Sequence, residues 1–319
     1  MHPLPHVSLG HYPTPIEELP RLRQYLGSVP RLYVKRDDLT GAGFGGNKVR
    51  KLEYLLADAL AQSADAVITC GGRRSNHCRI TAACCARLGL ECHLILNRTA
   101  GPENPASLYL NRLYGAHLHF VENRADRSPE MERVAADLRA AGQQPYIVPL
   151  GGSVPLGALG FLDAARELAS QVEQPFDAIY ACSSSGGTQA GLDAGLQLAG
   201  WRDTRLVCVS PDDGSEAITG QVAQIRRGLA ELAGRAPAEL ERPLEVNDRF
   251  AGPGYGIPTP ESEAALELLA RLEGLVLDPV YTAKTMAAML MDLRSGRFDE
   301  QHRVLFWHTG GQIALFTAE

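Results

Sequence analysis

GAGFGGNKVRKLEYLLADALAQSADAVITCGGRRSNH, residues 41–77, reads as a glycine-rich turn, a helix, an apolar run and a second polar loop. Val49, Leu52, Leu56, Ala59 and Leu60 recur at the spacing of one helical face. Residues 66–70 then form a short Val/Ile run that stops at two glycines, which is the pattern of a buried strand feeding a loop. The same alternation continues outward. Candidate strands lie at 91–96, 117–121, 146–148, 177–182, 205–210 and 303–307, and further helical patterns at 261–272 and 282–293. Short strands alternating with helical stretches predict parallel strands joined by crossover helices, so the expected class is α/β. Gly/Pro-rich breaks fall at 149–157 and 252–260. The first is the better boundary. It predicts a smaller α/β unit of residues 49–154 set within a discontinuous larger one, 1–48 and 155–319.

The 319 residues allow two domains. Hydrophobic residues make up 45% and charged residues 21%, which argues against a disordered or membrane class. With 37 acidic residues against 31 Lys and Arg there is no basic block to neutralise a phosphate backbone, so nucleic acid is not an expected partner. The chain has no apolar run of about 18 residues and no cationic start followed by an apolar stretch, so no membrane contact and a cytoplasmic location are expected. Seven cysteines without a CxxC pair read as reduced, buried thiols, and no metal site is expected.

In open α/β sheets, ligands gather where strand ends expose loop amides and helix N-termini. Three segments sit at such places. Ser183-Ser184-Ser185-Gly186-Gly187-Thr188 follows a strand and opens a helix, so its amides and hydroxyls can cup a phosphate. It lacks the GK[ST] ending of a nucleotide loop and the G-x-G-x-x-G of a dinucleotide site. Alone it reads equally as a tight turn. Ser75 and Asn76 occupy the matching position after the 66–70 run, where a serine can bind a carboxylate or simply cap the next helix. A lysine in a tight glycine turn, as Lys48 is, can form an imine with an aldehyde, or it can be a solvated surface group. Together the three segments suggest an aldehyde-bearing phosphate cofactor.

Six collinear motifs carry a resemblance: GGNKVRKLE, GGRRSNHCR, SSGGTQAG, GPGYGIP (252–258), LDPVYTAK (277–284) and FWHTGG (306–311). Spanning nearly the whole chain, they resemble the pyridoxal-phosphate enzymes of the D-cysteine desulfhydrase and 1-aminocyclopropane-1-carboxylate deaminase family. The resemblance implies two open, twisted, mostly parallel sheets flanked by helices, with pyridoxal 5′-phosphate in the cleft between a larger and a smaller domain. It makes Lys48 the cofactor-bearing lysine, Asn76 the neighbour of the ring hydroxyl, and Ser185, Gly186, Gly187 and Thr188 the phosphate cup. Lys51 becomes a further phosphate contact, and Thr309 the group facing the pyridine nitrogen. Ser75 is placed by the substrate carboxylate, with Tyr255 and Tyr281 as active-site tyrosines. His77 joins the substrate side, and Arg74, though no part of the family pattern, is added to it as a candidate anion-binding group. His308 reads as structural, and Arg79 and Arg87 as solvated or remote from the phosphate. Relatives of this kind are commonly dimers, so a homodimer is expected.

The implied reaction is α,β-elimination from a β-substituted amino acid such as D-cysteine. Lys48 takes the Cα proton, the β-group leaves, and hydrolysis yields pyruvate and ammonia. Two departures from the family pattern bear on the substrate. Thr282 and His77 stand where the deaminase branch has Glu and Gln, which disfavours ring opening of aminocyclopropane carboxylate. Arg73-Arg74 stand where relatives carry an aliphatic residue and Gln, and arginine binds oxyanions with several donors. An anionic substrate such as L-cysteate is therefore an alternative, against the reading in which one arginine faces solvent and the other pairs with an acid. A non-catalytic protein that binds pyridoxal phosphate or an amino acid is the alternative of another class. A nucleotide-dependent enzyme rests on the phosphate cup alone.

Overall fold

The structure is a computed structural model, and it describes residues 4–27, 30–98 and 105–316. In chain order the strands are β1 (Ile16–Glu18), β2 (Arg31–Lys35), β3 (Ala66–Gly71), β4 (Glu91–Asn97), β5 (His117–Val121), β6 (Pro145–Ile147), β7 (Ala178–Cys182), β8 (Arg205–Val209), β9 (Glu245–Asn247) and β10 (Arg303–Trp307). The helices are α1 (Pro20–Leu26), α2 (Lys48–Ala61), α3 (Asn76–Leu88), α4 (Pro105–Leu113), α5 (Arg127–Ala140), α6 (Pro155–Gln171), α7 (Gly187–Leu198), α8 (Ser215–Leu232), α9 (Pro260–Glu273) and α10 (Thr282–Arg294). One sheet has the order β5-β4-β3-β6 and is parallel throughout. The other has the order β1-β2-β10-β7-β8-β9, parallel except for the β1–β2 pair.

Both faces of the six-stranded sheet are covered. On one, Tyr180, Val304 and Phe306 pack with Met286 and Leu290 of α10. On the other, Ile179, Leu305 and Trp307 pack with Phe161 of α6 and Leu192 of α7. Successive strand residues point to opposite faces, so a strand buried on both sides becomes a continuous apolar run. That is why β3, β4, β7, β8 and β10 stand out in the sequence. β1 and β9, at three residues each, are too short to show a period. β2 ends on Lys35, a charged residue that is wholly buried because Glu167 of α6 meets its ammonium at 2.5 Å. No local pattern predicts such a strand.

Two sequence readings are corrected. Leu60 lies on the predicted angular face of α2 but is 39% exposed, whereas Val49, Leu52, Leu56 and Ala59 are buried. It falls in the last turn, where the next residues, 61–63, are also exposed and nothing remains to be covered. Arg79 is buried, not solvated, and donates to Asn76 Oδ1 at 3.3 Å. Burial lowers its pKa to about 10. Its place on the covered face of α3 beside Ile80 overrides the usual preference of a guanidinium for water. Arg87 is exposed as expected.

A buried ionic cluster ties the start of α2 to the larger sheet. Arg50 pairs with Asp37 at 2.8 Å and with Glu167 at 2.9 Å, and Trp307 Nε1 donates to Asp37 Oδ2 at 2.9 Å. Burial alone would raise the Asp37 pKa, but Arg50, Lys35 and the Trp307 bond hold it below the usual carboxylate range.

Candidate active site

A cavity of about 640 Å³ opens where the loops after β3 and β6 of the smaller sheet meet those after β7, β8 and β10 of the larger one. Of the residues singled out in the sequence, Lys48, Ser75, Asn76, His77, Ser185, Gly186, Thr188, Tyr255, Tyr281 and Thr309 line it. Segments far apart in the chain converge there because parallel strands present all their carboxyl ends to one side.

Lys48 is the first residue of α2. The residue before it fixes its position: Asn47 Nδ2 donates to Thr188 Oγ1 at 3.1 Å, and Asn47 N donates to Thr309 O at 3.0 Å. The start of α2 is thereby tied to the start of α7 and to the loop after β10. Burial, only partly offset by Cys182, lowers the Lys48 pKa to about 8. Its amine is thus far more often neutral near physiological pH than a surface lysine.

The loop Ser183–Gly187 turns into α7, with Gly186 in the left-handed region at φ 78°. A Cβ on Gly187 would lie 2.7 Å from Ser153 Oγ and 2.9 Å from Lys51 Nζ, so the backbone approaches these groups as closely as only glycine permits. Lys51 Nζ donates to Ser153 Oγ at 3.0 Å and Gly151 O at 3.2 Å, while Ser153 and Ser185 share a hydrogen bond of 2.7 Å. Lys51 is buried, and that burial, with Lys48 nearby, depresses its pKa strongly. Ser153 and Gly151 were not singled out in the sequence. They sit in the Gly/Pro-rich break at 149–157, whose composition signals a turn and gives no hint of the cup it completes.

On the opposite wall, Ser75 caps α3, its hydroxyl accepting from Cys78 N at 3.3 Å while lining the cavity. The cap is formed, and the same residue faces the cavity. Thr69 Oγ1 donates to Val148 O at 2.7 Å and lies 2.7 Å from His77 Nε2, so it accepts from an Nε2–H tautomer. His77 Nδ1 then carries a lone pair without a partner among the described residues. Burial, with Lys48 and Lys51 nearby, keeps the ring neutral. Ser183 Oγ is likewise buried and unpartnered.

Tyr255 and Tyr281 meet hydroxyl to hydroxyl, with ring planes at 66°. Burial raises the Tyr255 pKa to about 12 and the Tyr281 pKa further, so both are protonated donors at neutral pH. Asp278 orients Tyr281 by accepting from the backbone N–H groups of Val280, Tyr281 and Thr282 at 2.8–2.9 Å. His308 is wholly buried, bonded to Val276 O at 3.1 Å and accepting from Gly310 N at 3.2 Å, which braces the loop carrying Thr309. Arg74 lies outside the cavity lining and donates to Gly256 O at 3.1 Å, beside Tyr255. Two other arginines line the cavity. Arg124 pairs with Asp212 at 3.3 Å, and Arg127 donates to Asn97 Oδ1 at 2.5 Å.

The donor set fits pyridoxal phosphate. The start of α7, the Ser153 and Ser185 hydroxyls and the Lys51 amine surround a glycine cradle suited to a phosphate. A buried amine of lowered pKa suits an aldehyde, and the unpartnered Ser183 and His77 atoms are available to a polar ligand.

Comparison with known proteins agrees with this geometry. Residues 7–310 match the family model described as pyridoxal-phosphate dependent enzyme. The chain is 40% identical to a D-cysteine desulfhydrase of Yersinia pestis (strain Pestoides F), covering 98% of this chain and 95% of that one. It is 39% identical to the D-cysteine desulfhydrase of Salmonella schwarzengrund, with the same coverage. Among solved structures, an ACC deaminase homologue superposes with a TM-score of 0.90 at 36% identity, over 99% of this chain and 97% of that one. A fungal L-serine ammonia-lyase from Rhizomucor miehei, at 19% identity and a TM-score of 0.68, shares the fold.

Proposed function

This chain belongs to the pyridoxal-phosphate-dependent enzymes, and from that premise we propose that it is a lyase catalysing α,β-elimination from a D-cysteine-like amino acid. The products are pyruvate, ammonia and the released β-group. The observation that carries this reading is the Lys48 amine, with its pKa lowered to about 8, anchored through Asn47 to Thr188 and Thr309. When bound, pyridoxal phosphate supplies the electron sink that makes the Cα proton acidic.

In this reading Ser185, Gly186, Gly187 and Thr188, with Lys51 behind them, hold the phosphate. Thr309, which lines the cavity, would offer the ring nitrogen a neutral hydroxyl, and such a partner would leave that nitrogen less protonated. Asn76 hydrogen-bonds the ring hydroxyl, and Ser75 holds the substrate carboxylate. Lys48, whose lowered pKa of about 8 makes its free amine more readily neutral than a surface lysine's, moves the Cα proton. Tyr281, kept protonated by burial and bonded to Tyr255, delivers a proton to the departing β-group. His77 offers an acceptor to the substrate side. The division into a larger unit, 1–48 and 155–319, and a smaller one, 49–154, is part of the same reading and is supported by the strand membership of the two sheets. A cytoplasmic homodimer is proposed with it.

A second reading has an observation of its own. Arg124 and Arg127 line the cavity and Arg74 lies beside the Tyr255 loop, so a substrate with an anionic β-group, such as L-cysteate, has basic groups within the site or at its rim. One panel tests both: D-cysteine, L-cysteine, L-cysteate, β-chloroalanine and aminocyclopropane carboxylate, assayed for pyruvate and ammonia. Fastest release from D-cysteine supports the first reading, and fastest release from cysteate the second. Visible absorbance at about 410–430 nm without turnover of any compound would leave only a binding protein.

A further inference from the structure

The smaller sheet carries a second cluster of ligand-bearing side chains at its edge. β4 and β5 run parallel, with His93 in register with His117 and Ile95 with His119. Because side chains alternate along a strand, Glu91, His93, His117 and His119 all share one face of this pair. The ligand atoms of Glu91, His93 and His117 lie within 4.8 Å of one another. His93 and His117 stack with ring centroids 4.7 Å apart.

The decisive group is His93, which is only 7% exposed. Its Nδ1 lies 3.1 Å from His119 Nε2, while its Nε2 is buried without a hydrogen bond among the described residues. The nearest carboxylate oxygen, Glu91 Oε2, is 3.6 Å from that nitrogen, beyond hydrogen-bonding distance. A metal-binding histidine typically has its second nitrogen bonded to a partner that fixes its tautomer, the part His119 plays here. Tetrahedral zinc with bonds of about 2.1 Å needs ligand atoms about 3.4 Å apart. The Glu91–His93 pair is already near that spacing, and the exposed His117 ring can close the third side by a small rotation.

We propose that Glu91, His93 and His117 bind one divalent transition-metal ion of the zinc class, with solvent completing its coordination and His119 orienting His93. His93 is level with Ile68, three residues before Gly71 of the cavity wall, so the ion lies about 10 Å toward the amino ends of the strands. It pins the edge strand β5 to β4 and takes no part in the elimination.

The test is equilibrium dialysis of metal-stripped holoenzyme against zinc, with elemental analysis, for wild type, Glu91→Gln and His117→Ala. Both substituted residues are exposed, so the fold should tolerate the changes. The expected result is one zinc per chain in wild type and at least about tenfold weaker binding in each variant. Zinc should also raise the melting temperature of wild type but not of His117→Ala, with the cofactor absorbance unchanged throughout. Absence of binding by wild type, or equal binding by wild type and both variants, overturns the proposal.

Discussion

At the scale of single residues, the chemistry depends on burial setting protonation. Lys48 loses part of its proton affinity because its charged form is poorly solvated. In the apoenzyme, capture of pyridoxal phosphate should therefore rise with a midpoint near pH 8, where the amine becomes neutral. Stopped-flow absorbance from about pH 6 to about pH 11 measures it, and a midpoint at the ordinary lysine value contradicts the assignment. Lys48→Ala should abolish both the covalent absorbance and turnover. Tyr281→Phe should retain the cofactor absorbance but lower kcat by about 10²–10⁴, the usual worth of a positioned proton donor. An unchanged kcat removes Tyr281 from the reaction. Lys48 and Ser75 stood out in the sequence because each sits in a short motif at a turn, and the tyrosines were named through the family resemblance alone. Ser153 was not, since its role exists only when Lys51, 102 positions earlier, reaches it.

At the scale of elements, α7 begins on glycines that let its backbone approach a side chain from another loop. Gly187→Ala places a methyl group against Ser153 and Lys51. It should weaken pyridoxal phosphate binding by about tenfold or more, as expected for an overpacking cost of about 1–3 kcal/mol, while far-ultraviolet circular dichroism stays unchanged. Dialysis measures the affinity, and wild-type affinity would mean that this cradle does not hold the phosphate. The strands and helices themselves were largely readable. Runs buried on both faces announce β3, β4, β7, β8 and β10, and helical spacing announces α2, α9 and α10. β1 and β9 escaped because three residues carry no period, and β2 because its Lys35 belongs to an ion pair made across the fold.

For the whole molecule, the Arg50–Asp37–Glu167 cluster joins α2, the β2 loop and α6, and so holds Lys48 against the larger sheet. Arg50→Met leaves buried Asp37 without its ion-pair partner, while Glu167 keeps Lys35, and should cost about 3–5 kcal/mol at neutral pH, read from urea denaturation. Asp37 and Glu167 are both held below the ordinary carboxylate range, against the effect of burial, by Arg50 and Lys35. Their contribution is complete above that range and is lost as pH falls through the depressed folded values. The difference between wild type and Arg50→Met should accordingly narrow on acidification, and a constant difference from neutral to acid pH contradicts this account.

The sequence by itself determined the alternation of strand and helix, the loops at strand ends and the lysine in its glycine turn, because these are encoded by neighbours a few residues apart. Tertiary structure alone decided that Ser153 links Lys51 to Ser185, that Arg79 is buried and that Glu91, His93 and His117 converge. Each of these depends on strand register or helix packing between distant segments, and periodicity along the chain does not specify which segment lies alongside which.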